Sequence, residues 1–205
     1  VEACKEDREK SPDAGRRKLA ETPTLFREIN NPVSFILVPK VSSEKRRYVP
    51  MGFLDNNTIS TDLNFIIPEA TMYHFAILTS NIHMAWMRAV CGRMKSDYRY
   101  SANIVYNNFP WPTPTEEQKQ KIEQTAQAIL DARALYPDSS LADLYDELTM
   151  PPELRKAHHQ NDIAVMQAYG FTKGSEAYKS ETACVAELMK RYEHLCTQQQ
   201  NTKEQ

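Results

Sequence analysis

The 205-residue sequence predicts an α+β fold, in which a small mixed α/β domain is followed by a C-terminal helical bundle. Three observations lead to this prediction. Short apolar runs rich in β-forming residues occur only in the first half. Three prolines fall within residues 110–114, which regular secondary structure does not tolerate. After them, apolar residues recur at helical spacing almost to the end of the chain.

The first half opens with a polar lead-in over residues 1–24, in which 14–20 favours a helix. Residues 34–39 form an apolar run ended by proline and predict a strand. Residues 48–54 predict a second strand, placed at a sheet edge by its internal proline. Residues 58–67 favour further extended chain. These segments predict one small mixed sheet.

Helices follow the predicted sheet. Pro68 and Glu69 predict a helix start, because proline and an acidic residue suit the first turn. A second helix is predicted over 82–90, and residues 98–105 are predicted to be extended. The α/β domain is therefore expected to span residues 25–112.

The second half predicts a helical C-terminal domain over residues 113–197. A capping pattern at Thr115 opens a helix that continues to about residue 135. Further helices are predicted over 141–148, 151–169 and 176–196, and residues 198–205 are predicted to be a frayed tail.

Bulk properties narrow the classes of function. The net charge of -2 divides into +3 over residues 1–110 and -5 over residues 111–205. No apolar run approaches the roughly 20 residues that span a bilayer, so we expect a cytoplasmic protein without a membrane partner. The chain begins at Val1 in polar sequence, which is consistent with a fragment of a longer protein.

Catalytic chemistry is not expected in this chain. Its five glycines form no G-x-G loop for a nucleotide cofactor, and its four cysteines lie too far apart for a metal site. His158 and Asp162 are spaced to share a helix face, but a packed histidine is favoured over a metal or acid–base role. The order of residues in Asn108–Trp111 does not match the N-P-P-Y/F motif of adenine methyltransferases. We therefore expect no catalytic residue, no cofactor and no metal here.

Two polar clusters could contact DNA. The first is the segment S-S-E-K-R-R-Y, in which Ser42, Ser43, Arg46 and Arg47 are suited to binding phosphate. It is predicted to form a turn between strands, and an ordinary solvated hairpin tip explains it equally well.

The second cluster is R-M-K-S-D-Y-R-Y-S. Here Arg93, Lys95 and Arg99 can donate to guanine edges, and Asp97 can accept from cytosine. In an extended segment, Lys95 and Asp97 would lie on one side and could meet the two bases of one pair.

These segments together resemble the C-terminal region of MmeI-like enzymes. The resemblance rests on S-S-E-K-R-R-Y-V-P-M-G-F (42–53), C-G-R-M-K-S-D-Y-R-Y-S (91–101), V-Y-N-N-F-P-W-P (105–112) and the A-H-x-x-N-D block within residues 144–171. It covers roughly residues 30 to 175. The family comprises single-chain Type II restriction–modification proteins with a nuclease, an adenine-N6 methyltransferase and a target recognition domain.

The resemblance implies that residues 25–112 are a target recognition domain that binds double-stranded DNA, supported by the later helices. It implies that Lys95, Asp97 and Arg99 contribute to base choice. S-adenosylmethionine would be bound by the methyltransferase domain of the same parent chain, outside this segment. Two alternatives stay open, a helical scaffold or protein-interaction module and, less favoured, an independent hydrolase.

Overall fold

The computed structural model describes residues 1–25 and 31–203, and these form two compact units, Val1–Pro32 and Val33–Gln205. Residues 26–30, at the predicted start of the α/β domain, and residues 204–205 of the predicted tail lie outside the described part.

The first unit contains helix α1 (Glu2–Glu9) and helix α2 (Ala14–Lys18), which continues into a single 3-10 turn. The side chain of Asp13 caps α2 by accepting from the backbone N–H of Arg16. The sequence does not predict α1. None of its residues is buried, so it has no apolar stripe from which a helix could be predicted.

Six strands of the second unit form two antiparallel sheets, so the prediction of one mixed sheet is wrong in this detail. In the first sheet, β1 (Ser34–Pro39) lies between β3 (Gly52–Asp55) and β4 (Asn64–Pro68). In the second, β6 (Asp97–Arg99) lies between β2 (Val41–Ser42) and β5 (Gly92–Met94). Each of these four strand pairings is antiparallel.

The helices of the first half differ from the prediction at their edges. Helix α3 (Met72–Leu78) begins after Thr71, whose side chain forms a capping box with His74. Pro68 instead ends β4, where it pairs with Phe35. Helix α4 (Asn81–Val90) is confirmed.

The segment predicted to be extended over residues 98–105 is so only in part. Strand β6 ends at Arg99, and a π-helical turn follows over Ala102–Tyr106. The indole N–H of Trp86 donates to the carbonyl of Val105 at 3.0 Å, which ties this turn to α4.

The second half is helical, as predicted. Helices α5 (Glu116–Ala134) and α7 (Pro152–Ala168) lie where the sequence places them. Helix α6 (Leu141–Leu144) is shorter than predicted. The final predicted helix is divided at Ser180 into α8 (Glu176–Lys179) and α9 (Glu181–Lys203), because Ser180 adopts an extended conformation. Helix α9 continues beyond the predicted end near Cys196 into the tail.

One hydrophobic core joins the two halves of the second unit. It includes Ile36 of β1, Trp86 of α4, Ile122 of α5 and Leu188 of α9, each at most 2% exposed. The proline-rich segment lies between the halves, and the hydroxyl of Tyr169 donates to the carbonyl of Pro110 at 2.8 Å. The α/β half and the helical half of this unit are therefore packed on a shared core. Among the described helices, none has the length and apolar character to cross a membrane.

Candidate nucleic-acid interface

The second sheet brings the two polar clusters of the sequence together. Strand β2 pairs with β6 through Val41 opposite Arg99 and Ser42 opposite Tyr98. The segment 43–47 therefore leaves the sheet beside the β5–β6 hairpin. Between them, segments 43–47 and 92–99 contain six Lys/Arg and two Asp/Glu residues, in a chain whose net charge is -2. This local excess of positive charge is the clearest electrostatic feature of the sheet.

The β5–β6 hairpin places Lys95 at its tip. Met94 pairs with Asp97, so Lys95 and Ser96 form a two-residue turn. Lys95 has a φ of 57°, the positive value that two-residue hairpin turns require at their first central residue. The prediction that Lys95 and Asp97 lie along one extended segment is therefore wrong. The lysine projects from the end of the hairpin, and its side chain is exposed.

Asp97 and Arg99 lie on one face of β6, because side chains alternate along a strand. Their cross-strand neighbours on that face are Met94 and Val41, which are 50% and 39% exposed. Tyr98 points to the opposite face and is buried. The face thus presents a carboxylate, a guanidinium and two apolar side chains to solvent.

Arg93 is held on the other face of the hairpin. Its guanidinium lies 4.1 Å from the ring centroid of Tyr98, and its Nη1 donates to the carbonyl of Ser96 at 2.8 Å. Glu44 is 4.0 Å away. These contacts brace the turn, and they leave Arg93 less available to an external partner than Lys95 or Arg99.

A hydrogen bond attaches the segment 43–47 to the hairpin, in addition to the pair between Glu44 and Arg93. The backbone N–H of Glu44 donates to Oδ1 of Asp97 at 3.3 Å. Within the segment, the N–H of Arg46 donates to the carbonyl of Ser43 at 3.1 Å and forms a tight turn. Asp97 therefore contributes to the junction of the two clusters as well as to the exposed face.

The predicted contact residues of this segment differ in accessibility. Arg47 is exposed, whereas Ser43 and Arg46 are half-buried. Ser42 is only 4% exposed and its hydroxyl has no hydrogen-bond partner within the described residues, so a freely presented hydroxyl is not found there. The cause is the alternation of β2, which turns Ser42 to the same side as Tyr98.

Several of these cations are unpaired. The side chains of Lys45, Arg46, Lys95 and Arg99 make no hydrogen bond or ion pair with any other described residue. Arg47 differs, because its Nη2 lies 4.0 Å from Oδ2 of the buried Asp162. An unpaired surface cation can exchange its hydration for a phosphate or a base edge without first breaking a contact within the protein.

Asp162 is the residue near this surface whose role the sequence does not predict. Its Oδ2 accepts from the hydroxyl of Tyr48 and its Oδ1 from the N–H of Asn81, both at 2.7 Å. Burial raises the pKa of Asp162 to about 6. The signal in the sequence is the A-H-x-x-N-D block, where polar residues recur on a helix face that must also pack.

The other sites considered from sequence are parts of the core. Phe109 packs edge-on against His83, with ring centroids 4.5 Å apart, which accounts for the N-N-F-P-W-P segment as packing. His158 is buried and stacks on Tyr48 at 4.2 Å, in agreement with the favoured interpretation of a packed histidine. Over residues 1–25 and 31–203, no group of three His, Cys, Asp or Glu residues is arranged to hold a metal ion.

Comparisons with known proteins give a consistent result. Residues 1–113 match the family described as the MmeI target recognition domain, and residues 114–199 match the MmeI C-terminal domain. A curated relative, DNA methyltransferase A of Bacillus subtilis (strain 168), is 41% identical over 196 residues, which cover 95% of this chain and 22% of the relative.

A solved structure, that of the Type IIL restriction–modification enzyme MmeI in complex with DNA, is also similar. It matches with a TM-score of 0.86 and 46% identity, over 94% of this chain and 25% of that chain. The chain therefore spans about a quarter of the length of both relatives.

Proposed function

The chain belongs to the family of MmeI target recognition and C-terminal domains, and from this premise we propose that it is the sequence-specific DNA recognition module of an adenine-N6 DNA methyltransferase. The observation that carries the proposal is the second sheet. It joins two cationic segments, distant in sequence, into one surface with unpaired side chains. The similarity to a DNA-bound restriction–modification enzyme supports the same conclusion.

The hairpin is the part of this surface that suits base recognition. The major groove of B-DNA is about 12 Å wide and admits a two-stranded ribbon. Lys95 at the tip and Arg99 on the exposed face can donate to guanine O6 and N7, and Asp97 can accept from cytosine N4. We assign base recognition to these three residues.

The segment 43–47 is suited to contacting the backbone. Arg46, Arg47 and the hydroxyl of Ser43 are donors of the kind that bind phosphate and fix the register of a protein on DNA. Ser42 is not included, because its side chain is buried. Arg93 is assigned to the support of the turn, since Tyr98 and Ser96 already hold its guanidinium.

In a longer parent protein, this chain and the methyltransferase domain would have separate roles. The methyltransferase domain of the parent would bind S-adenosylmethionine, extrude the target adenine from the duplex and methylate it. This chain would select the neighbouring bases and close the DNA against that domain. The segment itself would thus be non-catalytic and cofactor-free, and the parent would act on DNA in the cytoplasm.

A binding-site selection on the full-length protein tests this assignment. The wild type is compared with a double variant carrying Lys95→Glu and Asp97→Arg, which reverses both charges of the hairpin. We expect the preferred base to change at one position while the others are retained. At the bases concerned, each mismatch should cost about 1–3 kcal/mol.

Two other outcomes would contradict the assignment of base recognition to the hairpin. An unchanged motif with evenly reduced affinity would mean that these charges only contact phosphate. No change in motif or affinity would favour a helical scaffold that does not contact DNA directly. Arg93→Gln serves as the matched control, because it removes a cation of the same hairpin that other residues already hold.

A further inference from the structure

Helix α7 carries three polar residues that are almost completely inaccessible to solvent. His158 and Asn161 are 0% exposed and Asp162 is 4% exposed. They are the polar members of the A-H-x-x-N-D block, and each contacts a residue of the recognition half. The proposed function uses none of them. Most buried polar groups are hydrogen-bonded, so the partners of these residues indicate what they hold in place. Within the described residues, Nδ1 of His158 is the atom of this set that has no such partner.

Asp162 contacts a residue next to each of the elements that carry the two cationic segments. Tyr48, which donates its hydroxyl to Asp162, directly follows segment 43–47. Asn81, which donates its backbone N–H to the same carboxylate, is the first residue of α4. Helix α4 in turn ends at Val90, two residues before β5 begins. One carboxylate thus holds the end of one segment and the helix that leads into the other.

The physical basis of each contact is favourable. The N–H of Asn81 is one of the donors at a helix start that have no partner within the helix. A carboxylate at that position also interacts favourably with the positive end of the helix dipole. Both hydrogen bonds, at 2.7 Å, are short and charge-assisted. The same carboxylate attracts the exposed Arg47 from 4.0 Å.

The aromatic ring of Tyr48 is also held by neighbouring residues. His158 stacks on it, with centroids 4.2 Å apart. The hydroxyl of Tyr145 lies 2.6 Å from Nε2 of His158 and also accepts from Nε of Arg133 at 3.0 Å. Because Arg133 donates to the Tyr145 hydroxyl, the hydroxyl hydrogen is free to point at His158, and Nε2 of His158 accepts it.

Asn161 completes the contact between the halves. Its amide donates to the carbonyl of Ala76 in α3 at 2.8 Å, and its Oδ1 accepts from the hydroxyl of Thr125 in α5 at 3.0 Å. Asn161 therefore links α3 to α5, and Asp162, the next residue of α7, holds the start of α4.

We propose that Asp162, assisted by His158 and Asn161, is a positioning residue that fixes segment 43–47 and the β5–β6 hairpin relative to one another. The proposal rests on the proposed function for its consequence, which is discrimination between DNA sequences. Its structural part, the fixing of the two segments, is independent of DNA. Asp162 is buried and does not itself contact the nucleic acid.

The structural part is tested by amide hydrogen exchange on the full chain without DNA. Asp162→Ala is compared with Val165→Ala, which truncates another fully buried residue of the same helix that makes no side-chain hydrogen bond. We expect exchange in residues 43–48 and 81–99 to rise more in Asp162→Ala, after both variants are brought to the same global stability with denaturant. Equal exchange in the two variants would overturn the proposal.

Discrimination is tested by measuring the affinity of the same variants for the selected sequence and for a single-mismatch sequence. Mutations that alter coupling between distant parts of a protein change it by 0.5–2 kcal/mol, so the ratio of the two affinities should fall by about 2- to 30-fold in Asp162→Ala. Asp162→Asn keeps an acceptor oxygen for the N–H of Asn81, and its amide N–H can donate to the hydroxyl of Tyr48 with the direction of that bond reversed, so it should recover most of the ratio. It also keeps the test valid if Asp162→Ala does not fold.

The two measurements separate the failure of each proposal. Increased exchange with no sequence preference in the wild type would refute the proposed function and leave the positioning role intact. A preserved affinity ratio in Asp162→Ala, with normal preference in the wild type, would refute the positioning role and leave the DNA assignment intact.

Discussion

The second sheet and the buried face of α7 both carry polar side chains, but in opposite surroundings. Lys95 and Arg99 of the sheet are exposed and have no partner among the described residues. Asn161 and Asp162 of α7 are buried and each makes two hydrogen bonds or more. Exposed charges contribute little to stability and are available to a ligand, whereas a buried group that loses its partner is costly. Mutations in the two regions should therefore change different quantities.

The largest effect is expected at Asn161. In Asn161→Ala, the carbonyl of Ala76 loses its side-chain donor and a cavity remains, whereas the hydroxyl of Thr125 keeps the carbonyl of Ile122 as an acceptor. An unsatisfied buried group costs about 1–3 kcal/mol and the lost packing adds to it, so we expect a decrease of about 2–4 kcal/mol in the free energy of unfolding. Urea unfolding with an unchanged m-value would measure it.

The exposed neighbour Gln160 provides the control for this variant. Gln160→Ala lies on the same helix and should change the free energy of unfolding by less than about 0.5 kcal/mol. If Asn161→Ala were no more destabilising than Gln160→Ala, the buried face of α7 would not be the connection between the halves.

The second effect is a loss of stability in acid. Burial lowers the pKa of His83 and of His158 from the ordinary 6.5 to about 3. Between these values only the unfolded chain binds the proton. Each histidine therefore contributes stability that is complete above pH 6.5 and is lost at about 1.4 kcal/mol per pH unit as the pH falls.

Asp162 opposes this loss. Burial raises its pKa from 3.8 to about 6, so the folded chain retains a proton that the unfolded chain releases, and stability rises as the pH falls through that window. Two histidines against one carboxylate leave a net loss of about 2–3 kcal/mol between pH 7 and pH 5. Urea unfolding at a series of pH values measures it.

His158→Gln identifies the source of the pH dependence. It removes one of the two buried histidines, so the loss of stability between pH 7 and pH 5 should decrease by about 2 kcal/mol. His159→Gln removes an exposed histidine from the same helix and is the control. An unchanged slope in His158→Gln would mean that this ring is not the group that titrates on unfolding.

Much of the fold could be predicted because local signals and packing agree. The apolar run ended by Pro39 forms β1, and the capping pattern at Thr115 opens α5 where expected. Prediction failed where tertiary contacts decide. Pro68 is a suitable first residue for a helix, yet its pairing with Phe35 keeps it in β4. The turn at Lys95 was not predicted because it has no glycine or asparagine to mark it.

The candidate site shows the same division. Composition was sufficient to select both cationic segments, and their roles in binding DNA stay predictions. Their adjacency could not be predicted, because it depends on the pairing of Ser42 with Tyr98 across 56 positions of sequence, the difference between those residue numbers. The partners of Asp162 are equally remote, at Tyr48 and Asn81. A polar residue's spacing along its own helix does not reveal which distant backbone group it will meet.

The smallest effect distinguishes two cations of one hairpin, Arg93, which neighbouring residues hold, and Lys95, which projects from the tip. Arg93→Ala removes the contact with the ring of Tyr98 and the hydrogen bond to Ser96, so it should lower the free energy of unfolding by about 0.5–1 kcal/mol. Lys95→Ala removes a side chain that has no partner within residues 1–25 and 31–203, and it should leave stability nearly unchanged. Thermal unfolding and binding-site selection on both variants measure the two properties together. Arg93→Ala is expected to retain the preferred sequence and Lys95→Ala to relax it at one base, and the reverse pattern would show that stacking on Tyr98 presents Arg93 to the DNA.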